Sequence, residues 1–202
     1  LLLLEVNATA GACTVLELNE VQKNAIEQSG GPALVLAGAG SGKTRVIVER
    51  LAWLIGEQGV DPRHILALTF TNKAAAEMRE RVAERLGREH VGAWLGTFHS
   101  FGLYLLRREI DRLGRPKNFT VFDDTDQLGL VKRIVRGMSQ LSTKVSPREA
   151  LSWISRFKQD LTAPTEQDAA TAEEQAYLQI WRAYHQALFD ASAVDFDDLL
   201  IL

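Results

Sequence analysis

The stretch from Ala33 to Ile55 constrains this chain more than any other. An apolar run, Ala33-Leu34-Val35-Leu36, leads into Ala37-Gly38-Ala39-Gly40-Ser41-Gly42-Lys43-Thr44. Apolar residues then recur at helical spacing from Arg45 onward, at Val46, Ile47, Leu51, Leu54 and Ile55. Strand, glycine-rich loop and helix in that order make the setting of a phosphate-binding loop. Glycines let the backbone curl until successive N–H groups face one point, and the helix start adds the positive end of its dipole there. Lys43 is placed to reach outer phosphates, and Thr44 offers a hydroxyl to a Mg²⁺ ion. Ala37 stands where the usual pattern has glycine, a change the backbone tolerates while φ stays negative. A tight turn that binds nothing is the plain alternative. Three glycines followed by Lys and Thr argue against it.

The elements on either side extend the pattern. Residues 1–15 have no period and read as a loose leader. Asn19 with Gln22 forms a capping-box pattern for a helix from Glu20 to about Gln28, which Gly30-Gly31-Pro32 stops. Asp61-Pro62 marks a turn. Ile65 to Phe70 is a strand-length apolar run, expected to be buried on both sides. Asn72 is expected to cap a helix from Lys73 to Leu86, ended by Gly87. Val91 to Gly96 reads as a third strand, and Thr97 opens a helix to about Leu113. This βαβαβα order predicts an α/β fold with a parallel sheet and helices on both faces.

Beyond Gly114 the pattern turns helical, and the next strand signal is Ala193-Val194. Asp123 or Asp124 caps a helix through about Met138. Ser146-Pro147-Arg148-Glu149 opens another, to about Leu161, and a long helix spans about Ala172 to Ser192. The long helix carries Tyr177, Trp181, Tyr184 and Leu188 on one stripe, which reads as core rather than as a stacking surface for bases.

Charge divides along the chain. Residues 1–120 hold 15 Lys and Arg against 13 Asp and Glu; the rest hold 8 against 13. The basic residues concentrate between Lys73 and Lys117, but Glu77, Glu80, Glu84 and Glu89 interleave with them. A basic face and an ordinary solvated helix surface are both compatible with that pattern. The overall charge of −3 gives no global field for nucleic acid. A single cysteine, Cys13, excludes an internal disulfide and fits a reducing cytoplasm. Leu1 to Leu4 are too few to span a bilayer, so no membrane role is expected.

Two further strand ends carry polar and aromatic sets: Phe70-Thr71-Asn72 after one, Thr97-Phe98-His99 after the next. Ligands of open α/β sheets bind at such ends. Hydroxyls and a helix start suit a nucleic-acid phosphate, and the rings suit stacking on a base. His99 has no nucleophile or metal set in sequence near it, so binding is the better reading than catalysis. Gln22 could read an adenine edge with its amide, though a capping role is the simpler reading.

Leu18-Asn19-x-x-Gln22, AGAGSGKT, LTFTNKAAAEM and GTFHSF, in this order and spacing, resemble the start of superfamily 1 DNA helicases of the UvrD/PcrA/Rep type. Val194 to Leu200 also matches a segment of that family. The resemblance implies a P-loop RecA-like domain with an inserted all-helical subdomain. It divides the chain into a leader at 1–15, the RecA-like part at 16–114, the helical insertion at 115–193 and a return segment at 194–202. Carried over motif by motif, it implies that Gln22 reads adenine and that Ala37 to Thr44, with Arg45, hold ATP. Lys43 then serves the phosphates and Thr44 the Mg²⁺. Phe70, Thr71, Asn72, Thr97, Phe98 and His99 line a track for single-stranded DNA, and the helical part meets the duplex junction.

The resemblance also implies cytoplasmic enzymes of DNA repair or replication that move 3′ to 5′, driven by ATP hydrolysis between two RecA-like domains. The family's Asp-Glu strand for Mg²⁺ and water lies downstream of the Val194 segment. This sequence is therefore expected to be the N-terminal piece of such an enzyme, needing the C-terminal part as partner and inactive alone. A nucleotide- or DNA-binding module without turnover is the competing expectation. Asp195, Asp197 and Asp198 follow too short an apolar run to replace the Asp-Glu strand; Asp197-Asp198 reads as an acidic helix start.

Overall fold

The computed structural model describes residues 18–89, 91–138 and 145–202. The expected leader at 1–15 lies outside them. The chain divides into two compact units, one running to Phe98 and one from His99 to Leu202.

In the first unit, α1 (Glu20–Glu27) begins as its sequence dictates. The Asn19 side chain accepts from the Gln22 N–H and the Gln22 side chain accepts from the Asn19 N–H. The open carbonyls at the other end of α1 are met by Arg50 of α2 (Lys43–Gly56), whose guanidinium donates to Ala25, Ile26 and Gln28. A cation suits that end of a helix dipole, so one arginine both satisfies the carbonyls and docks α1 on α2.

Strand β1 (Leu66–Thr69) pairs in parallel with β2 (Trp94–Thr97), Leu66 opposite Trp94 and Thr69 opposite Thr97. Between them runs α3 (Asn72–Leu86), ended by Gly87 in the left-handed conformation. Val48, Leu51, Ile55, Ile65, Met78, Val82 and Leu95 form the core of this unit.

Three elements of this unit differ from expectation. Thr71, not Asn72, caps α3: its hydroxyl accepts from the Ala74 N–H, and Asn72 is the first helical residue. β1 is not buried on both sides, because Leu66 is 46% exposed. The apolar run Ala33 to Leu36 forms no strand. Leu34 and Leu36 are 79% and 86% exposed, and no described strand lies alongside to supply ladder hydrogen bonds. An extended segment becomes a strand only through such a neighbour; β1 and β2 spend their paired edges on each other.

The second unit carries most of α4 (Phe98–Glu109), followed by β3 (Thr120–Phe122), α5 (Asp124–Gly137), α6 (Pro147–Gln159), α7 (Ala172–Asp190), β4 (Ala193–Asp195) and α8 (Asp198–Ile201). Asp123, Ser146 and Thr171 cap α5, α6 and α7. The aromatic stripe of α7 is core, as its spacing indicates: Tyr184 and Leu188 are fully buried, and Tyr177 nearly so. Trp153, Ile154 and Phe157 of α6 pack in the same cluster, with Leu130 and Val131 of α5.

Strand β3 has no counterpart among the expected strands. It pairs in parallel with β4, Thr120 opposite Ala193 and Phe122 opposite Asp195. Three residues are too few for a period to show. Its place is fixed instead by Arg107, which donates to the Lys117 and Phe119 carbonyls and lies 3.9 Å from the Phe119 ring centre.

The turn from β4 to α8 is tied down by buried charge. Lys158 of α6 donates to Asp195 at 2.6 Å and to Asp198 at 2.7 Å. The two aspartates also accept each other's backbone N–H, and the Tyr184 hydroxyl donates to Asp195. Burial, with the Asp195 charge beside it, pushes the Tyr184 hydroxyl far above the usual tyrosine range and keeps it a donor. Asp197 accepts from Ser155. Helix α8 does start at this acidic cluster, and its carboxylates are engaged by α6. Against α8, Gly102 of α4 comes so close that a Cβ there would collide with the Leu199 carbonyl.

Candidate nucleotide and nucleic-acid sites

The loop from Ala37 to Gly42 owes its path to two glycines in the left-handed region, Gly40 at φ 76° and Gly42 at φ 82°. Gly42 is the N-cap of α2, where it supplies no side chain to the free N–H groups of the first turn. Asn19, Thr71, Asp123, Ser146 and Thr171 all perform that service for their helices. The N-terminus of α2 therefore keeps its donors and the positive end of its dipole available.

Lys43 turns back over this loop. Its ammonium donates to the Gly38 carbonyl at 2.7 Å and to the Ala37 carbonyl at 3.2 Å. Ser41 folds the same way, its hydroxyl donating to Gly38 at 2.8 Å. Ala37, Gly38, Ala39, Gly40 and Ser41 are exposed, while Lys43, Thr44 and Arg45 are half-buried. The Thr44 hydroxyl, in the first turn of α2, has no protein partner among the described residues. Gln22 reaches the loop from α1: its amide nitrogen donates to the Ser41 carbonyl at 3.0 Å. The Gln22 side chain thus closes the cap of α1 and also contacts the loop, a link that residue spacing did not reveal.

The other candidates occupy the ends of β1 and β2. Phe70 follows β1 with 61% of its surface exposed, and its ring centre lies 5.5 Å from that of Phe98. Thr71 and Asn72 are exposed at the start of α3. The Thr71 carbonyl accepts from the Thr69 hydroxyl, which fixes the turn. Thr97 ends β2 and is buried. His99 is the first residue of the second unit, half-buried, and meets the Phe196 ring edge-on at 5.9 Å. Phe196 was not among the expected site residues. It sits two residues beyond Val194, among the acidic residues Asp195, Asp197 and Asp198.

Residues 18–202 match the family described as UvrD/REP helicase N-terminal domain. The chain belongs to that family. Among its relatives, the ATP-dependent DNA helicase Rep of Escherichia coli (strain K12) is 45% identical over 190 residues, covering 93% of this chain and 28% of Rep. The ATP-dependent DNA helicase PcrA of Bacillus subtilis (strain 168) is 44% identical over 186 residues, covering 91% of this chain and 25% of that PcrA. PcrA of Staphylococcus aureus (strain Mu50 / ATCC 700699) is 40% identical over 186 residues, with 91% and 26% covered. The chain thus spans about a quarter of the length of these relatives. In this chain a mixed α/β fold with short parallel strands carries the motifs. Among the described residues, no helix is long and apolar enough to cross a membrane.

Proposed function

We propose that this chain is the ATP-binding, N-terminal part of a 3′–5′ DNA helicase. One observation carries the reading: the start of α2 has no side-chain cap, a glycine-turned loop leads into it, and Lys43 closes over that loop. A triphosphate would replace the Ala37 and Gly38 carbonyls as the partner of the Lys43 ammonium, an exchange of dipoles for full negative charge. Gln22 meets the adenine, and Ala37 to Thr44 with Arg45 enclose the phosphates. The donor set fits Mg²⁺ in part: the Thr44 hydroxyl supplies one hard oxygen, and phosphate, water and a carboxylate from elsewhere in the protein supply the rest. Bound there, the ion would neutralise charge between the outer phosphates.

For DNA, Phe70 offers an exposed ring, Thr71 and Asn72 offer polar groups at a helix start, and Phe98 and His99 add further rings, with Thr97 buried beneath the end of β2. In this reading residues 16–114 are RecA-like, 115–193 form the inserted helical subdomain that meets the duplex junction, and 194–202 return to the first domain. The exposed Leu34 and Leu36 support a sheet that is finished by other parts of a longer protein, since relatives are about four times as long. Hydrolysis and unwinding belong to that longer, cytoplasmic enzyme, while the 202-residue chain binds ATP without turnover.

Titration with a fluorescent ATP analogue tests the loop. Binding that vanishes in Lys43→Ala supports the reading. Multiple-turnover ATPase activity of this chain, lost in Lys43→Ala, would overturn the division of labour. Fluorescence anisotropy with a single-stranded oligonucleotide over a salt series tests the rings: Phe70→Ala and His99→Ala are expected to weaken binding, and unchanged affinity refutes the DNA assignment.

A further inference from the structure

We infer that Gln22 is a positioning residue for the phosphate loop itself, acting on any bound triphosphate whether or not a base is attached. The inference rests on the nucleotide reading of the loop and adds a second role for this side chain within it. A primary amide has two N–H donors and two acceptor lone pairs. One lone pair of Gln22 is taken by the Asn19 N–H at 3.1 Å, and one N–H by the Ser41 carbonyl at 3.0 Å. One donor and one acceptor remain, which is the complement of an adenine edge. The same amide therefore closes the cap of α1, straps the loop to α1 and still has the valence to read a base.

The strap acts where the loop changes direction. Ser41 lies between Gly40 and Gly42, both with positive φ, and a Cβ on Gly42 would lie 2.9 Å from the Gln22 amide nitrogen. Fixing the Ser41 carbonyl fixes the peptide unit that carries the Gly42 N–H, since the two share one plane. That N–H leads directly into the open first turn of α2. Arg50 ties the far end of α1 to the middle of α2, so the strap closes a ring of α1, loop and α2. Without it, the loop must be ordered by its ligand.

Two variants separate the roles. Gln22→Glu keeps an oxygen to accept from the Asn19 N–H and loses the N–H to Ser41. Asn19→Ala does the reverse, weakening the cap and sparing the strap. The probe is magnesium tripolyphosphate, which has no base, titrated calorimetrically beside ATP against the 202-residue chain. Loss of one neutral hydrogen bond predicts roughly three- to tenfold weaker tripolyphosphate binding for Gln22→Ala, a loss at least as large for Gln22→Glu, whose carboxylate also faces the Ser41 carbonyl and the polyphosphate charge, and unchanged binding for Asn19→Ala. Gln22 variants that lose ATP affinity yet bind tripolyphosphate like the parent would overturn the inference and leave the nucleotide site standing. An equal loss in Asn19→Ala would overturn it too, by assigning the effect to the stability of α1. A parent chain that binds neither ligand would remove the nucleotide reading and this inference with it.

Discussion

Replacing Lys158 by Met is expected to destabilise the second unit by about 3–5 kcal/mol, the usual cost of stranding buried charge. The side chain is 3% exposed, and those of Asp195 and Asp198 are 2% and 4% exposed. Two charge-assisted hydrogen bonds are lost, each worth about 1.5–3 kcal/mol. The damage is uneven. Asp195 keeps the Tyr184 hydroxyl and the Asp198 N–H, whereas Asp198 keeps only the Asp195 N–H. Methionine fills the stem's volume, so packing loss adds little. Against a domain stability of about 5–15 kcal/mol, a loss of this size is about a fifth or more of the total. Urea unfolding, read by hydrogen exchange at β4 and α8, is the assay. With a slope of about 2 kcal/mol per molar, the midpoint falls by about 2 M. Adding Asp198→Asn to Lys158→Met should recover part of the loss, because a neutral amide tolerates the buried site better than an unpaired carboxylate. A drop below about 1 kcal/mol for Lys158→Met alone would refute the argument, since it would mean that water or another cation reaches the pair.

Two further outcomes follow from local geometry. Leu161 is the left-handed residue closing α6, at φ 54°, with the Leu161 and Thr162 N–H groups donating to Lys158 and Phe157, and its side chain is 74% exposed. Leu161→Gly should raise stability by about 1 kcal/mol through relief of that conformation; a lower urea midpoint would contradict it. Burial holds the His185 imidazole below its ordinary value of 6.5, with the Lys158 charge adding to the effect and the Trp181 carbonyl opposing it. The unfolded chain then takes up the proton first as pH falls. This share of stability is complete above about pH 6.5 and declines as pH drops below that value. His185→Gln should flatten the difference between urea midpoints at pH 7.5 and 5.5, and an undiminished difference would assign the pH dependence to other groups.

Local signals were the legible ones. The Asn19-Gln22 box, the Gly87 stop, the Ser146-Pro147 start and the α7 stripe are each set within a few residues, and each stands in the structure as its sequence indicates. What escaped depends on partners far along the chain. The Ala33 to Leu36 run has the composition of a strand, but strandness is conferred by a neighbour. β3 is defined by β4, more than seventy residues later. Lys158 left a trace that could have been read: it falls four residues after Ile154, on the face that Ala150, Ile154 and Phe157 bury, where a lysine needs a carboxylate. For the candidate site, the loop residues and their order were plain, while the bond from Gln22 to Ser41 required the fold.

The pairing of β3 with β4 brings Phe122 and Asp195 side by side, although α5, α6 and α7 all lie between them in the chain. A segment whose two ends are stitched together at its base is a module with a single attachment point. Its length and content can change by evolution or by grafting while the entry and exit of the chain stay where they are. The condition is that the new module brings its own partner for Asp195 and Asp198, so the buried lysine of α6 is also the key that any replacement has to carry.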